Sequence, residues 1–234
     1  MDANATPHFV LLPGLGGTGE LFSPLMRHID GRAVCQIVSY PPDRFLNYGE
    51  LAEFVRGHLP ADRPFAILAE SFSGPIAIAI AATPPPNLRA VILCCTFASF
   101  PNGLLRSLGT ILPYLPASRP PVAAMAPLLM GRWRTPNLSA SLSNALSRVH
   151  ASILRRRALE ALRADYRVLA SSIAVPTLCL AATHDRIVPN RACEDLQACI
   201  PKARAAIVVG PHFLLQCNPA GAWLEIERFL APPA

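Results

Sequence analysis

Short apolar runs alternate with stretches of helical spacing through the first hundred residues, and that alternation leaves the chain very few folds. "HFVLLPG" (8–14) reads as a strand ending in a turn, "ELFSPLMRHI" (20–29) as a helix, and "AVCQIVSY" (33–40) as a strand before Pro41 and Pro42. "YGELAEFVRGHL" (48–59) sets Leu51, Phe54, Val55 and Leu59 on one helical face. "FAILAES" (65–71), the helix "GPIAIAIAA" (74–82) with Pro75 in its first turn, and "LRAVILCCTF" (88–97) continue the pattern. Strands that are apolar on both faces and separated by helices predict an α/β fold, a mostly parallel sheet with helices on both faces.

The pattern changes after Phe97. Residues 98–172 read as helices broken by proline, in "LLRSLGTILPYLP", "PVAAMAPLLMGRW" and the long run from Leu138 to Ala170, with no strand among them. Strand and helix then resume in "PTLCLAA" (176–182), "NRACEDLQACI" (190–200), "ARAAIVV" (203–209) and "NPAGAWLEIERFL" (218–230). The expected organisation is one α/β core, 1–97 and 173–234, carrying a helical cap inserted at 98–172. A chain of 234 residues is ample for such a core.

With 52% hydrophobic and 15% charged residues, the chain is a core-forming one and not a disordered one. No apolar run approaches the roughly 18 residues that span a membrane. "MDANATPHFV" lacks the basic start and long apolar segment of a signal peptide, so a soluble cytoplasmic protein is expected. Seven cysteines, with no C-x-x-C pair and several inside apolar runs, read as buried thiols in a reducing compartment; no metal site is expected of them.

The net charge of +6 is unevenly placed. Between Ala98 and Ser172 there are ten Arg and no Lys against Glu160 and Asp165, whereas the remainder is slightly acidic. Such a run is a solvated face by default, but arginine favours bidentate recognition of carboxylate and phosphate, which points to an acidic partner on that side. The segment lacks the interleaved aromatics of single-strand readers, and nucleic acid is not an expected partner.

In an open parallel sheet, functional groups gather at the carboxyl ends of the strands. In this chain those ends carry Pro13-Gly14-Leu15-Gly16-Gly17, then Ser71, then His184-Asp185, then His212. Ser71 falls on a strand-to-helix turn from which a hydroxyl can project, with the small Ala69, Ser73 and Gly74 around it. A serine is a weak nucleophile without a base, itself oriented by a third group. His212 and Asp185 follow the last two strands, in the chain order Ser, Asp, His. Taken singly, Ser71 is a helix cap, Asp185 a turn residue and His212 a packed histidine; their joint placement points to nucleophilic catalysis. Glu70 reads as a structural acceptor, Ser73 as the rival nucleophile with poorer spacing, and His184 as facing away.

Across nearly its whole length the chain resembles an α/β-hydrolase with a helical cap. Its serine motif, Ala69-Glu70-Ser71-Phe72-Ser73, has Ala69 and Ser73 where that superfamily usually has glycines. "LLPGLGGTGELF" resembles the superfamily's oxyanion loop, with Pro13 where a histidine often precedes the glycine. The resemblance implies a catalytic triad of Ser71, Asp185 and His212, with the backbone N–H groups of Leu15 and Phe72 holding the oxyanion, and neither metal nor organic cofactor. In layout the chain is similar to carboxylesterases that demethylate pimeloyl esters on acyl carrier protein. That likeness implies a serine carboxylesterase for short or medium acyl esters, a carrier-bound methyl ester among them, with the Arg-rich cap meeting the acidic carrier. An acyl thioesterase or acyltransferase with the same triad, and a binding protein without catalysis, are the alternatives.

Overall fold

The computed structural model describes residues 6–101 and 121–231. Six strands, β1 (His8–Leu12), β2 (Val34–Ile37), β3 (Phe65–Glu70), β4 (Leu88–Cys94), β5 (Thr177–His184) and β6 (Ala203–Pro211), form one sheet. The spatial order is β2-β1-β3-β4-β5-β6, and every pairing is parallel. The chain therefore starts inside the sheet, runs out to the β2 edge, crosses back over β1, and fills the other side in sequence. The reversal between β1 and β3 opens a crevice at their carboxyl ends, where loops diverge to opposite faces.

Alternation along each central strand builds two cores. Val10, Leu12, Ile67, Ala69, Val91 and Leu93 face α2 (Tyr48–Arg56) and α3 (Gly74–Ala82). Phe9, Leu11, Ala66, Leu68, Ala90 and Ile92 face α1 (Ser23–His28) and the closing helix. Helix α3 has no polar stripe because it is covered nearly all round, as its unbroken apolar sequence requires. Helix α2 begins in a capping box, Asn47 accepting from the Glu50 N–H at 2.9 Å while Glu50 accepts from the Asn47 N–H at 2.8 Å. It ends at Arg56, three residues before Leu59, since Gly57 follows.

Some expectations shift in detail. The helix expected from Glu20 opens as a 3₁₀ turn, Gly19–Phe22, before α1. The outer strands are less buried than their apolar sequences imply: Ile207 and Val209 on β6 are more than half exposed, because a strand at the sheet edge has a neighbour on one side only.

Between β4 and β5 the described part of the insertion is helical: α4 (Val122–Met130), α5 (Pro136–Ser147), α6 (Ala151–Arg163) and the single turn α7 (Arg167–Ala170). The expected helix "LLRSLGTILPYLP" lies outside the described residues. One isolated antiparallel bridge, Ser99 to Asp165, breaks the all-helical expectation and ties the two ends of the insertion together. After β5 come α8 (Arg191–Cys199), α9 (Leu214–Cys217) and α10 (Pro219–Leu230). No described helix is long and apolar enough to cross a membrane.

Candidate active site

Strand β3 delivers Ser71 into a turn so tight that its φ is +52°, in the left-handed region that side-chain-bearing residues rarely adopt. Such strain persists only where the surroundings enforce it. Here Thr96 Oγ1, from the loop after β4, donates to the Ser71 carbonyl. The Phe72 ring stacks on Tyr48 at 4.8 Å between centroids and meets Tyr40 edge-on at 6.3 Å. Gly74 lets the helix approach: a Cβ there would come within 2.7 Å of Thr96 Cγ2 and 2.9 Å of its Cβ. Ser71 thus sits at the mouth of the crevice, partly exposed, above a rigid base.

The two other predicted residues meet it there. His212, placed by the end of β6, has Nε2 2.9 Å from Ser71 Oγ and Nδ1 2.7 Å from Asp185 Oδ2. Asp185 follows β5, and its second oxygen accepts from the Ile187 and Val188 N–H groups, each at 2.8 Å. That turn role and the pairing with His212 use different oxygens, so the carboxylate is fixed in position while it orients the ring. Both side chains of the pair are almost fully buried. Burial disfavours the imidazolium, but the charge and hydrogen bond of Asp185 and the charge of Glu70 outweigh it and raise His212 above its ordinary value. The arrangement can take a proton from the Ser71 hydroxyl and hold it as an imidazolium braced by a carboxylate.

The remaining sequence candidates have other partners. Ser73 is buried, donates to the Pro13 carbonyl, and stands 2.6 Å from the Tyr40 hydroxyl; with its own proton engaged, it accepts from Tyr40. Glu70 accepts from Gln216 Nε2 at 2.9 Å, and burial raises its carboxyl above the usual range against the opposing Gln216 hydrogen bond and His212 charge. His184 lies outside the Ser71, His212 and Asp185 chain, its Nδ1 2.6 Å from Thr183 Oγ1 and its ring edge-on to Trp133.

A cavity of about 320 Å³ opens over Ser71 and His212, with Leu15 and Phe72 on its wall. Its floor comes from the loops after β1 and β3, and its roof from Met125, Leu129, Leu142, Leu146 and Leu162 of the insertion. Apart from Glu70 and His212, its described lining has no ionisable side chain. The sequence reading missed Arg157. Of the ten arginines in the insertion, 106 and 119 lie outside the described residues and six of the rest are exposed, but Arg157 is 1% exposed and donates to backbone around the Pro13–Gly17 loop. The signal was its place on the apolar stripe Ile153, Leu154, Arg157, Ala161, which a solvated arginine would not occupy. Among the described residues, no group of three His, Cys, Asp or Glu is arranged to hold a metal ion.

With known proteins the chain shares both fold and sequence. Its fold is similar to the enol-lactonase from Burkholderia xenovorans LB400, at TM-score 0.84 and 18% identity over 98% of this chain and 93% of that one. It is also similar to a hydrolase from Oleispira antarctica (TM-score 0.82, 16% identity, 97% and 92% covered) and to a thermophilic esterase from Thermogutta terrifontis (0.78, 17%, 96% and 89%). These likenesses show the α/β-hydrolase fold. In sequence the chain is 29% identical over 231 residues to the polyketide synthase ThaQ of Burkholderia thailandensis, across 87% of this chain and 11% of that enzyme. It thus spans about a tenth of the length of the curated relative it matches. The model of the family described as serine aminopeptidase, S33, matches residues 47–214, a span that holds Ser71, Asp185 and His212 together. The chain belongs to this serine aminopeptidase S33 family, on the α/β-hydrolase fold.

Proposed function

We propose that the protein is a serine carboxylesterase that hydrolyses an apolar, medium-chain acyl ester through a Ser71 acyl-enzyme. The observation that carries the reading is the unbroken chain from Ser71 Oγ through His212 to Asp185 at the floor of an apolar cavity. His212 Nε2 takes the Ser71 proton as Oγ attacks the ester carbonyl, and the Leu15 and Phe72 N–H groups receive the charge on the carbonyl oxygen. The imidazolium passes its proton to the departing alcohol. Water, deprotonated by His212, then attacks the acyl carbon, and the imidazolium returns that proton to Ser71 Oγ as the acyl–Oγ bond breaks and the acid leaves. The cavity, about 320 Å³ and walled almost wholly by apolar side chains, lies at the lower end of the roughly 300–1,000 Å³ range of ligand pockets, which fits a short to medium acyl chain.

An ester fits this cavity better than the substrate in the family's description. An aminopeptidase needs an acid free to hold the substrate amine, and the one carboxyl on the described lining, Glu70, is buried and already accepts from Gln216 Nε2. The insertion acts in this reading as the cap that selects the acyl chain. Its exposed arginines, among them Arg134 and Arg163, suit an acidic carrier protein bearing the ester, although Arg148 and Arg167 already pair with Glu20 and Asp165. A second reading, hydrolysis of an acyl thioester, is favoured by the likeness to a stretch of a polyketide synthase, since polyketide chains grow as thioesters.

Turnover of p-nitrophenyl esters from two to twelve carbons, by the wild type and by Ser71→Ala, tests the proposal. An optimum near eight to ten carbons that vanishes in the variant is expected. Faster turnover of acyl-coenzyme A than of the matching ester would favour the thioester reading. Absence of turnover, with no labelling of Ser71 by a fluorophosphonate, would sink both. Binding to acidic carrier protein that weakens with salt is the expected behaviour of the partner.

A further inference from the structure

Every backbone carbonyl of the Pro13–Gly17 loop accepts a hydrogen bond. Pro13 O receives Ser73 Oγ, Gly14 O receives the Gly17 N–H at 2.8 Å, and Gly17 O receives the Tyr40 N–H at 2.8 Å. The remaining two, Leu15 O at 3.2 Å and Gly16 O at 2.9 Å, are both held by Nη1 of Arg157, which arrives from α6 in the insertion. Its Nη2 donates to Pro41 O at 2.9 Å, on the segment that backs the loop. Among the described residues no carboxylate pairs with this guanidinium, and it stacks toward the Tyr40 ring at 5.6 Å. The loop is shaped to admit it: Gly17 has φ +68°, and a Cβ there would come within 2.5 Å of Nη1 and 3.0 Å of the Tyr40 ring.

A buried arginine without an acidic partner is expensive to desolvate, and three backbone carbonyls are a rigid set of acceptors for its planar fork. In a trans peptide the C=O and the following N–H point in opposite directions: Arg157 fixes the Gly16–Gly17 peptide through Gly16 O, the N–H of that peptide holds Gly14 O, and the Leu15 N–H of the Gly14–Leu15 peptide is thereby set facing the other way. We infer that Arg157 is a positioning residue: docked from the cap, it locks the loop that stabilises the oxyanion, so that the chemical step depends on the cap being seated. The inference rests on the serine-hydrolase reading of the same site.

The test compares wild type with Arg157→Lys, which retains charge but not the fork, and Arg157→Met, which retains only the stem. With p-nitrophenyl octanoate, kcat is expected to fall about tenfold in the lysine variant and about 100-fold in the methionine variant, with KM within about twofold, as for loss of aligned oxyanion donors. Fluorophosphonate labelling of Ser71 should slow in the same order, with lysine giving partial rescue. A folded variant with wild-type kcat, or one changed in KM alone, would overturn the inference. Should neither variant fold, amide exchange in the wild type decides: the Gly17 N–H should be as protected as those of β1, and exchange at the free-chain rate overturns the lock. A wild type that fails to label at Ser71 would instead remove the serine-hydrolase reading, which keeps the two failures distinct.

Discussion

Gly74→Ala with Thr96→Ala forms a double-mutant cycle that probes the elbow beneath Ser71. An alanine Cβ at 74 would lie 2.7 Å from Thr96 Cγ2 and 2.9 Å from its Cβ, and closer still to Oγ1, all on a short branched side chain with no flexible end to yield. Forcing Thr96 aside adds overpacking, about 1–3 kcal/mol, to a lost hydrogen bond on the Ser71 carbonyl of about 1 kcal/mol. The single variant should therefore lose roughly 2–4 kcal/mol, or about 2–4 °C of Tm per kcal/mol in a chain of this size. Thr96→Ala alone should lose about 1–2 kcal/mol, through the hydrogen bond and a methyl group. In the double variant the colliding Oγ1 and Cγ2 are gone and only the 2.9 Å approach to the Cβ of residue 96 remains, so its loss should exceed that of Thr96→Ala by about 1 kcal/mol, a coupling of about 1 kcal/mol or more. Urea unfolding at constant m measures all three. Additive losses within about 0.3 kcal/mol, or a Gly74→Ala protein as stable as wild type, would refute the packing argument.

Other outcomes follow from the buried charges and the cavity. In the proposed mechanism His212 acts as base only when neutral, so kcat/KM should rise with pH about a midpoint above the ordinary histidine value of about 6.5. Asp185→Asn removes the raising charge, so it should shift that midpoint down and slow turnover by about 10³–10⁴-fold; a limb unmoved by this change would count against the pairing. The folded-state shift of Glu70 is upward, so the stability that its neutral form supports is present in acid and is lost as pH rises through the folded value. Glu70→Gln should therefore gain on wild type from acid toward neutral pH in urea midpoints, and parallel curves would contradict that. On the cavity roof, Ala145→Leu should shorten the preferred acyl chain by roughly the three carbons it adds, without lowering turnover of acetate esters.

The sheet and its loop ends were legible because they rest on local rules. A strand buried on both faces must be apolar throughout, and β1, β3 and β4 read so plainly that the ends of β1 and β3 could be located to a residue or two. The hydrogen-bonded line from Ser71 to His212 to Asp185 follows from that placement, since parallel strands put their carboxyl ends on one side of the sheet. What the sequence could not show is which charges and hydroxyls turn inward. Arg157 was counted with a basic run, and nothing local separates it from the exposed Arg156 beside it except its register on the stripe of α6. Thr96 and Tyr40 matter through atoms 25 and 33 residues away in the chain, distances that no periodicity spans. Ile207 and Val209 look like core residues in a list of strands and become edge residues once the strand order is known.

The second departure of the serine motif from its usual glycines, at Ser73, has a physical reason in the same network. The position two after Ser71 is Ser73, and its hydroxyl binds the turn at Ser71 to the Pro13–Gly17 loop through Pro13 O while accepting from the buried Tyr40 hydroxyl. A glycine there would match the common motif and yet leave Tyr40 and Pro13 O without that partner. Ser73→Gly should thus destabilise by about 1–3 kcal/mol for the unpaired buried groups, with a further 0.5–1 kcal/mol or so for glycine in the turn entering α3. Adding Tyr40→Phe removes one unpaired group and should restore part of that loss. Turnover should also fall several-fold at unchanged KM, since Ser73 and Arg157 brace the loop from opposite ends. If the glycine variant is as stable and as fast as the wild type, the hydroxyl is incidental and the loop is held by Arg157 and its own turn alone.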